Sequence, residues 1–155
     1  MSTTTDGQIC YGIVFEEGFE FPWDVIEKDI DEWWIEDVLK FKPSVEIYTE
    51  DGEYIGGQRP SDEVVDQYYD EKTEFIKNSK TLPVQLVNYC SGDVPMYILA
   101  IPETVIDARR GYPQVINPQS LVTLEKYKTV LKQFCEDYSI EYSTEPDWYL
   151  SSYWG

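Results

Sequence analysis

The side chains that could do chemistry in this chain are carboxylates, tyrosines, lysines and three cysteines, because its 155 residues include no histidine. Ser-His-Asp and Cys-His triads and the common histidine metal sites are thereby excluded. With 30 acidic residues, some pair falls at a glycosidase separation by chance, so a carboxylate pair carries no signal. Asp29-x-Asp31 beside Glu32, and Glu50-Asp51-x-Glu53, offer oxygen ligands for a hard cation. Neither matches the calcium loop with its central glycine and terminal glutamate, and adventitious binding to a charged face accounts for both. Gly56-Gly57 lacks the Gly-Lys-Ser/Thr ending of a phosphate loop. Arg109-Arg110 reads as an offset to neighbouring carboxylates rather than a substrate contact. No metal, no cofactor and no enzymatic activity is expected. Cys10, Cys90 and Cys135 are widely spaced with no CxxC pair, and read as reduced, buried core residues.

The remaining resource is charge. Thirty acidic against 12 basic residues give a formal charge of −18, which opposes direct binding to nucleic acid or an anionic membrane and favours a basic partner. The charge is uneven: residues 1–80 hold 21 acidic and 7 basic residues, and residues 81–155 hold 9 and 5. Glu16 to Asp37 concentrates it, with ten carboxylates against Lys28 alone, interleaved with Phe19, Phe21, Trp23, Trp33 and Trp34. Like charges at this density repel and cost folding free energy, so a use outside the fold is expected.

Elements must position these groups. The chain is long enough for one sizeable core, and 42% hydrophobic and 15% aromatic residues exclude a disordered acidic chain. Ile9 to Phe15 reads as a buried strand, and Gly18 and Pro22 make Glu16 to Asp24 a loop. Periodicity predicts a helix from Asp29 to about Lys40, with Ile30, Trp34, Val38 and Phe41 inward. Ser44 to Thr49 reads as a strand entering a hairpin through Asp51-Gly52 toward Tyr54 and Ile55. Ser61 caps a second helix to about Asn78, with Val64, Tyr68, Phe75 and Ile76 inward. Val84 to Tyr89 and Met96 to Ile101 read as an antiparallel pair, and Arg109 to Pro113 as an irregular loop. Asn117 before Pro118 predicts a third helix to about Tyr138, with Leu121, Leu124, Tyr127, Leu131, Phe134, Cys135 and Tyr138 on one face. Trp148 to Trp154 reads as a closing strand. The expected fold is α+β: a single domain over residues 1–155, a mostly antiparallel sheet of about five strands and three helices. Met1 to Gly7 is expected to be disordered. The polar start lacks the pattern of a signal peptide and no apolar run approaches a membrane span, so a cytoplasmic location is expected.

Two acidic ladders are the most specific pattern. Asp29, Glu32 and Glu36, with Lys40 at the last position, share a face of the first helix, and Glu63, Asp66, Asp70 and Glu74 share a face of the second. Solvated faces ordinarily mix signs for i, i+4 support, whereas these set like charges at that spacing. With a rise of about 1.5 Å per residue, consecutive ladder charges lie roughly 4.5 to 6 Å apart along each axis, comparable to a phosphate track. Trp23 in its loop and Trp33 toward the acidic side of its helix are candidate interface anchors. The partner-binding set is therefore Glu16, Glu17, Glu20, Trp23, Asp29, Glu32, Trp33, Glu36, Glu63, Asp66, Asp70 and Glu74.

High acidity, small size, abundant aromatics and no catalytic motif, mainly over residues 16–74, resemble the small phage-encoded inhibitors of bacterial defence systems, including anti-restriction and anti-CRISPR proteins that mimic DNA. The segment LVNYCSGDVPMYILAIP and the ending WYLSSYWG also look similar to tailed-phage proteins. The resemblance implies a protein that acts in a host cytoplasm by binding a basic, nucleic-acid-binding host protein and inhibiting or sequestering it. An adaptor or structural protein using an aromatic patch, with charge serving solubility, is the alternative; a carboxylate enzyme is third.

Overall fold

The apolar run around Ile13 lies in β1, Thr5–Val14, where Cys10, Tyr11 and Ile13 are all buried although they alternate between faces. A strand covered on both faces needs apolar residues at every position, which is why it reads as a continuous run. The computed structural model describes residues 5–25, 28–49, 52–79 and 81–154. These gather into two compact units, Met1–Pro22 with Leu82–Gly155, and Trp23–Thr81. Of the expected disordered segment, residues 1–4 lie outside the described residues, whereas Thr5 to Gly7 belong to β1, paired along β5 and, at Gly7, with β4 as well.

The first unit holds the sheet. Besides β1 it contains β2 (Gln85–Ser91), β3 (Pro95–Ala100), β4 (Ile106–Ala108) and β5 (Asp147–Trp154). β1 pairs antiparallel with β5 along one edge, and with β4 and β3 along the other. β3 pairs antiparallel with β2, and β2 runs parallel to β5 at Cys90–Tyr153 and Ser91–Trp154. The pairings β1–β3–β2–β5 return to β1, so the sheet closes on itself with β4 attached. Five mostly antiparallel strands with helices make the α+β class that the sequence predicts.

A closed circuit of strands has an inside, and the register identifies it. Cys10 stands opposite Tyr149, Val14 opposite Ile98, Gly12 opposite Ala100 and Val87 opposite Ile98. These share the face whose buried cluster is Cys10, Val87, Ile98 and Ala100, with Val14, Tyr89, Val105 and Tyr149 packed against it. So small a circuit demands close approach at Gly12. A Cβ there would lie within 3.0 Å of Leu99 O, Ile98 Cγ2 and Ala100 Cα.

The outer face carries Tyr11, whose ring meets Tyr127 of α4 (Glu125–Asp137) at 5.9 Å and Trp148 of β5 at 5.7 Å. Leu131, Phe134 and Cys135 are buried at i, i+3, i+4 spacing. The helix starts at Glu125, seven residues after the Pro118 start that the Asn117–Pro118 signal implies. That cap does form, Asn117 Oδ1 accepting from Gln119 N at 3.0 Å, but it opens only a 3-10 turn, Pro118–Ser120. β-branched Val122 and Thr123, poor helix formers, follow, and Leu124 is extended. Leu124 is accordingly 39% exposed rather than part of the inward stripe. The far end closes in a Schellman arrangement, with Ser139 at φ 54, its N–H donating to Glu136 O and Ile140 N–H donating to Cys135 O at 2.8 Å.

The second unit contains α1 (Pro22–Val25) from Trp23 onward, α2 (Ile30–Trp33) continued by a π turn at Trp34–Val38, and α3 (Asp62–Asn78). Its core is Ile35, Phe41, Ile47 and Tyr68, with Val45, Tyr48, Val64 and Phe75 against it. The π turn, closed by Leu39 N–H to Trp34 O at 2.8 Å, shifts the phase of the face. Ile35 therefore enters the core where 3.6-residue periodicity predicts Val38. The expected strand at Ser44 to Thr49 reduces to a single antiparallel bridge, Tyr48–Tyr54. Thr49 N–H also donates to Glu53 O, while Glu50 and Asp51 lie outside the described residues.

Candidate functional site

α3 forms because Asp62 and Glu63 occupy its first turn, where the helix dipole favours negative charge, and because Val64, Tyr68 and Phe75 give it an inward stripe; Ile76, expected in that stripe, lies in the last turn and is 47% exposed. Ser61 stands at the N-cap position, although its side chain makes no capping hydrogen bond. The helix is held to the preceding chain by Glu71, whose carboxylate accepts from Ser44 N at 2.7 Å, from Ser44 Oγ and from Gln67 Nε2 at 3.1 Å. Those hydrogen bonds, the Ser44 hydroxyl first, hold the Glu71 carboxyl below its ordinary range. Tyr48 Oη lies 3.0 Å from Tyr69 Oη, and that hydrogen bond, with partial burial, raises the Tyr48 phenol.

This anchoring leaves Glu63, Asp66, Asp70 and Glu74 on the exposed side. Among the described residues none of the four is in an ion pair. Lys77 stands three residues after Glu74 without pairing with it. Lys72 turns the other way, its ammonium 6.0 Å from the Tyr68 ring centroid and 3.9 Å from Glu32 of α2. The helix thus presents carboxylates over about 16 Å of its axis with no neutralising cation between them.

The first ladder has a different fate. Asp29 caps α2, its Oδ1 accepting from Glu32 N at 2.7 Å. Glu36 binds Lys28 at 2.8 Å, and Asp37 binds the same ammonium at 3.1 Å. Partial burial pulls the Lys28 ammonium down, but hydrogen bonds and charge from Glu36 and Asp37 carry it above its usual value. Asp29, Glu32 and Glu36 are therefore engaged in capping or pairing within this unit. Lys28 and Lys72, which decide this, stand outside the sequence-derived set. Only their charge was a signal, since the pairings cross between elements.

The two tryptophans offered as anchors are both in the core. Trp23 is 4% and Trp33 is 5% exposed, with their rings 5.1 Å apart. Periodicity placed Trp33 on the acidic side, but α1 brings Trp23 against it and turns that side into an interior. Glu16, Glu17 and Glu20 are exposed and belong to the other unit. The first two lie in a turn closed by Phe19 N–H to Glu16 O, with Gly18 at φ 78. Phe15, Phe19 and Phe21 pack together beneath it at 4.6 to 4.9 Å between centroids.

Among the described residues no group of three or more Cys, Asp or Glu side chains is arranged to hold a metal ion. Glu50-Asp51-x-Glu53 falls partly outside them. Cys90 is exposed, contrary to the buried role expected; it stands near the end of β2 with a left-handed φ of 74, just before the loop into β3. Cys10 and Cys135 are buried, and burial pushes each thiol up to about 11. No helix among the described residues is long and apolar enough to cross a membrane. No protein-family model, curated protein or solved structure matches this chain.

Proposed function

We propose that this protein binds a basic, nucleic-acid-binding protein through the exposed face of α3 and thereby inhibits or sequesters it. The observation that carries the reading is the contrast between the two ladders. Asp29, Glu32 and Glu36 serve the fold, whereas Glu63, Asp66, Asp70 and Glu74 stand unpaired on a helix otherwise fixed by its opposite side. Unpaired like charges on a rigid helix cost stability and gain only from an external cation, which a row of Lys and Arg side chains supplies. Spaced at roughly 4.5 to 6 Å, they offer such a row a substitute for phosphates. An interface anchored on Trp23 and Trp33 would first have to expose two residues that are now core. A phage-encoded inhibitor acting in a host cytoplasm is the finer form of the proposal, supported by the compositional resemblance.

The test compares the wild type with a variant carrying Glu63→Gln, Asp66→Asn, Asp70→Asn and Glu74→Gln, each immobilised and exposed to a bacterial lysate. A nucleic-acid-binding protein retained by the wild type, released by salt or by duplex DNA, and not retained by the variant supports the reading. Equal retention by both, insensitive to salt and DNA, overturns it.

A further inference from the structure

The geometry points to a second binding site, at one end of the β1–β3–β2–β5 circuit, for a small zwitterion of amino-acid to dipeptide size. Its carboxylate would sit on Arg109 and its ammonium between Asp6 and Asp107. This end is a cleft of about 330 Å³ lined by Asp6, Gln8, Asn88, Asp107, Arg109 and Tyr153, together with backbone of Gly7 and Ala108. The volume falls at the lower end of the range of small-molecule sites, and barrel mouths are one of their usual places.

Register explains why these side chains converge. Gln8 stands opposite Asp107 on one side and Ser151 on the other, and Asp6 stands opposite Tyr153. All share the inward face of Cys10, so the same face that is apolar in the middle of the circuit turns polar at this end. Continuing the Gly7–Ala108 pairing sets Arg109 opposite Asp6. Gln8 is fixed across the cleft, its Nε2 donating to Asn88 O at 2.5 Å. Asp6 is fixed by Arg110 N–H, which donates to its Oδ1 at 3.0 Å.

Two features separate this cleft from an ordinary solvated end. First, Arg109 and Asp107, both exposed, line the cleft and make no side-chain hydrogen bond or ion pair among the described residues, so both charges are open to a ligand. One concavity thus presents both signs of charge, which suits a ligand carrying both. Second, Ser151 Oγ, paired in register with Gln8 and lying behind the cleft rather than in its lining, is buried without a hydrogen-bond partner among the described residues. A buried hydroxyl of this kind is completed by a water or another polar atom reaching it from the cleft side. On a protein of net charge −18, cations gather over much of the surface, so recognition of a carboxylate is the informative part, and Arg109 is the group placed for it.

The test uses ¹⁵N-labelled full-length protein titrated through the millimolar range with diglycine, N-acetylglycine and glycinamide, which present both charges, the anion alone and the cation alone. Diglycine is expected to give saturable shifts at the amides of Gly7, Gln8, Asn88 and Ala108, at lower concentration than either half-ligand. Arg109→Gln is expected to weaken diglycine roughly tenfold while leaving glycinamide unchanged, and Asp107→Asn to weaken diglycine and glycinamide while leaving N-acetylglycine unchanged. The spectra themselves report whether each variant keeps its fold. Glycinamide binding as tightly as diglycine with no effect of Arg109→Gln, or shifts that neither saturate nor localise to this end, would overturn the assignment.

Discussion

Gly12 is the residue on which the closed sheet depends most directly. Its register partner on the neighbouring strand β3 is Ala100, and a methyl group at Gly12 would press on the β3 backbone, which cannot yield without disturbing β2. Gly12→Ala is therefore expected to destabilise by about 1 to 3 kcal/mol, the usual range for overpacking, although alanine is the better strand residue. Chemical denaturation checks it, and an unchanged midpoint would mean that β1 and β3 are not packed this closely. The cysteines divide by the same logic of surroundings. Cys10 and Cys135 are buried with thiols raised to about 11, whereas Cys90 lies on the surface. Under native conditions a thiol reagent should modify Cys90 alone, and unfolding should expose the other two. Mass spectrometry of the labelled protein reads the outcome directly; labelling of Cys10 in the folded state would contradict its place inside the circuit.

At the scale of elements, α4 separates what a hydrophobic stripe says from what a helix does. Leu131 is fully buried against the sheet unit's core, and Leu131→Ala should cost about 2 to 5 kcal/mol. Leu124 precedes the helix and is partly exposed, so Leu124→Ala should cost under about 1 kcal/mol. Thermal melts of the two variants give the comparison, and equal losses would restore Leu124 to the stripe. The attachment of α3 through Glu71 makes a prediction about pH. A carboxyl whose folded pKa lies below its unfolded value contributes stability that is present above the unfolded pKa and lost as pH falls through the folded one. Glu71 is lowered by its bonds to Ser44. The stability difference between wild type and Glu71→Gln should thus be larger near neutral pH than at about pH 3. Urea titrations at the two pH values test this; a difference that grows on acidification would contradict it.

For the whole molecule, 18 excess negative charges act on every element at once. Lys28, Lys72, Lys126, Lys128 and Lys132 each pair with a carboxylate, yet the acidic residues greatly outnumber the cations available. Self-repulsion of this kind is long-ranged and weakens once the screening length falls below the spacing of the charges. The melting temperature should rise between low salt and about 0.5 M NaCl, where the screening length is well under 10 Å. The variant lacking the four α3 carboxylates should show a smaller rise. A melting temperature that falls with salt in both would indicate that the ion pairs outweigh the repulsion.

Local pattern was sufficient where one element supplies its own evidence. The strand around Ile13, the β2–β3 pair, the inward stripe of α3 apart from Ile76, and the exposure of Glu63, Asp66, Asp70 and Glu74 follow from periodicity and turn chemistry, because burial on one face or both imprints directly on residue spacing. Net charge and the absence of histidine likewise set the classes of chemistry without any fold. Tertiary structure decided whatever depends on two elements meeting. It closed the sheet through β1–β3, set Asp6, Asp107 and Arg109 around one cleft, buried Trp33 under Trp23, and gave the first ladder its lysines. It also ended the Asn117 turn after three residues, since a capping signal states where a helix can begin but burial decides whether it continues. Spacing along a chain records which face is buried; only packing determines against what.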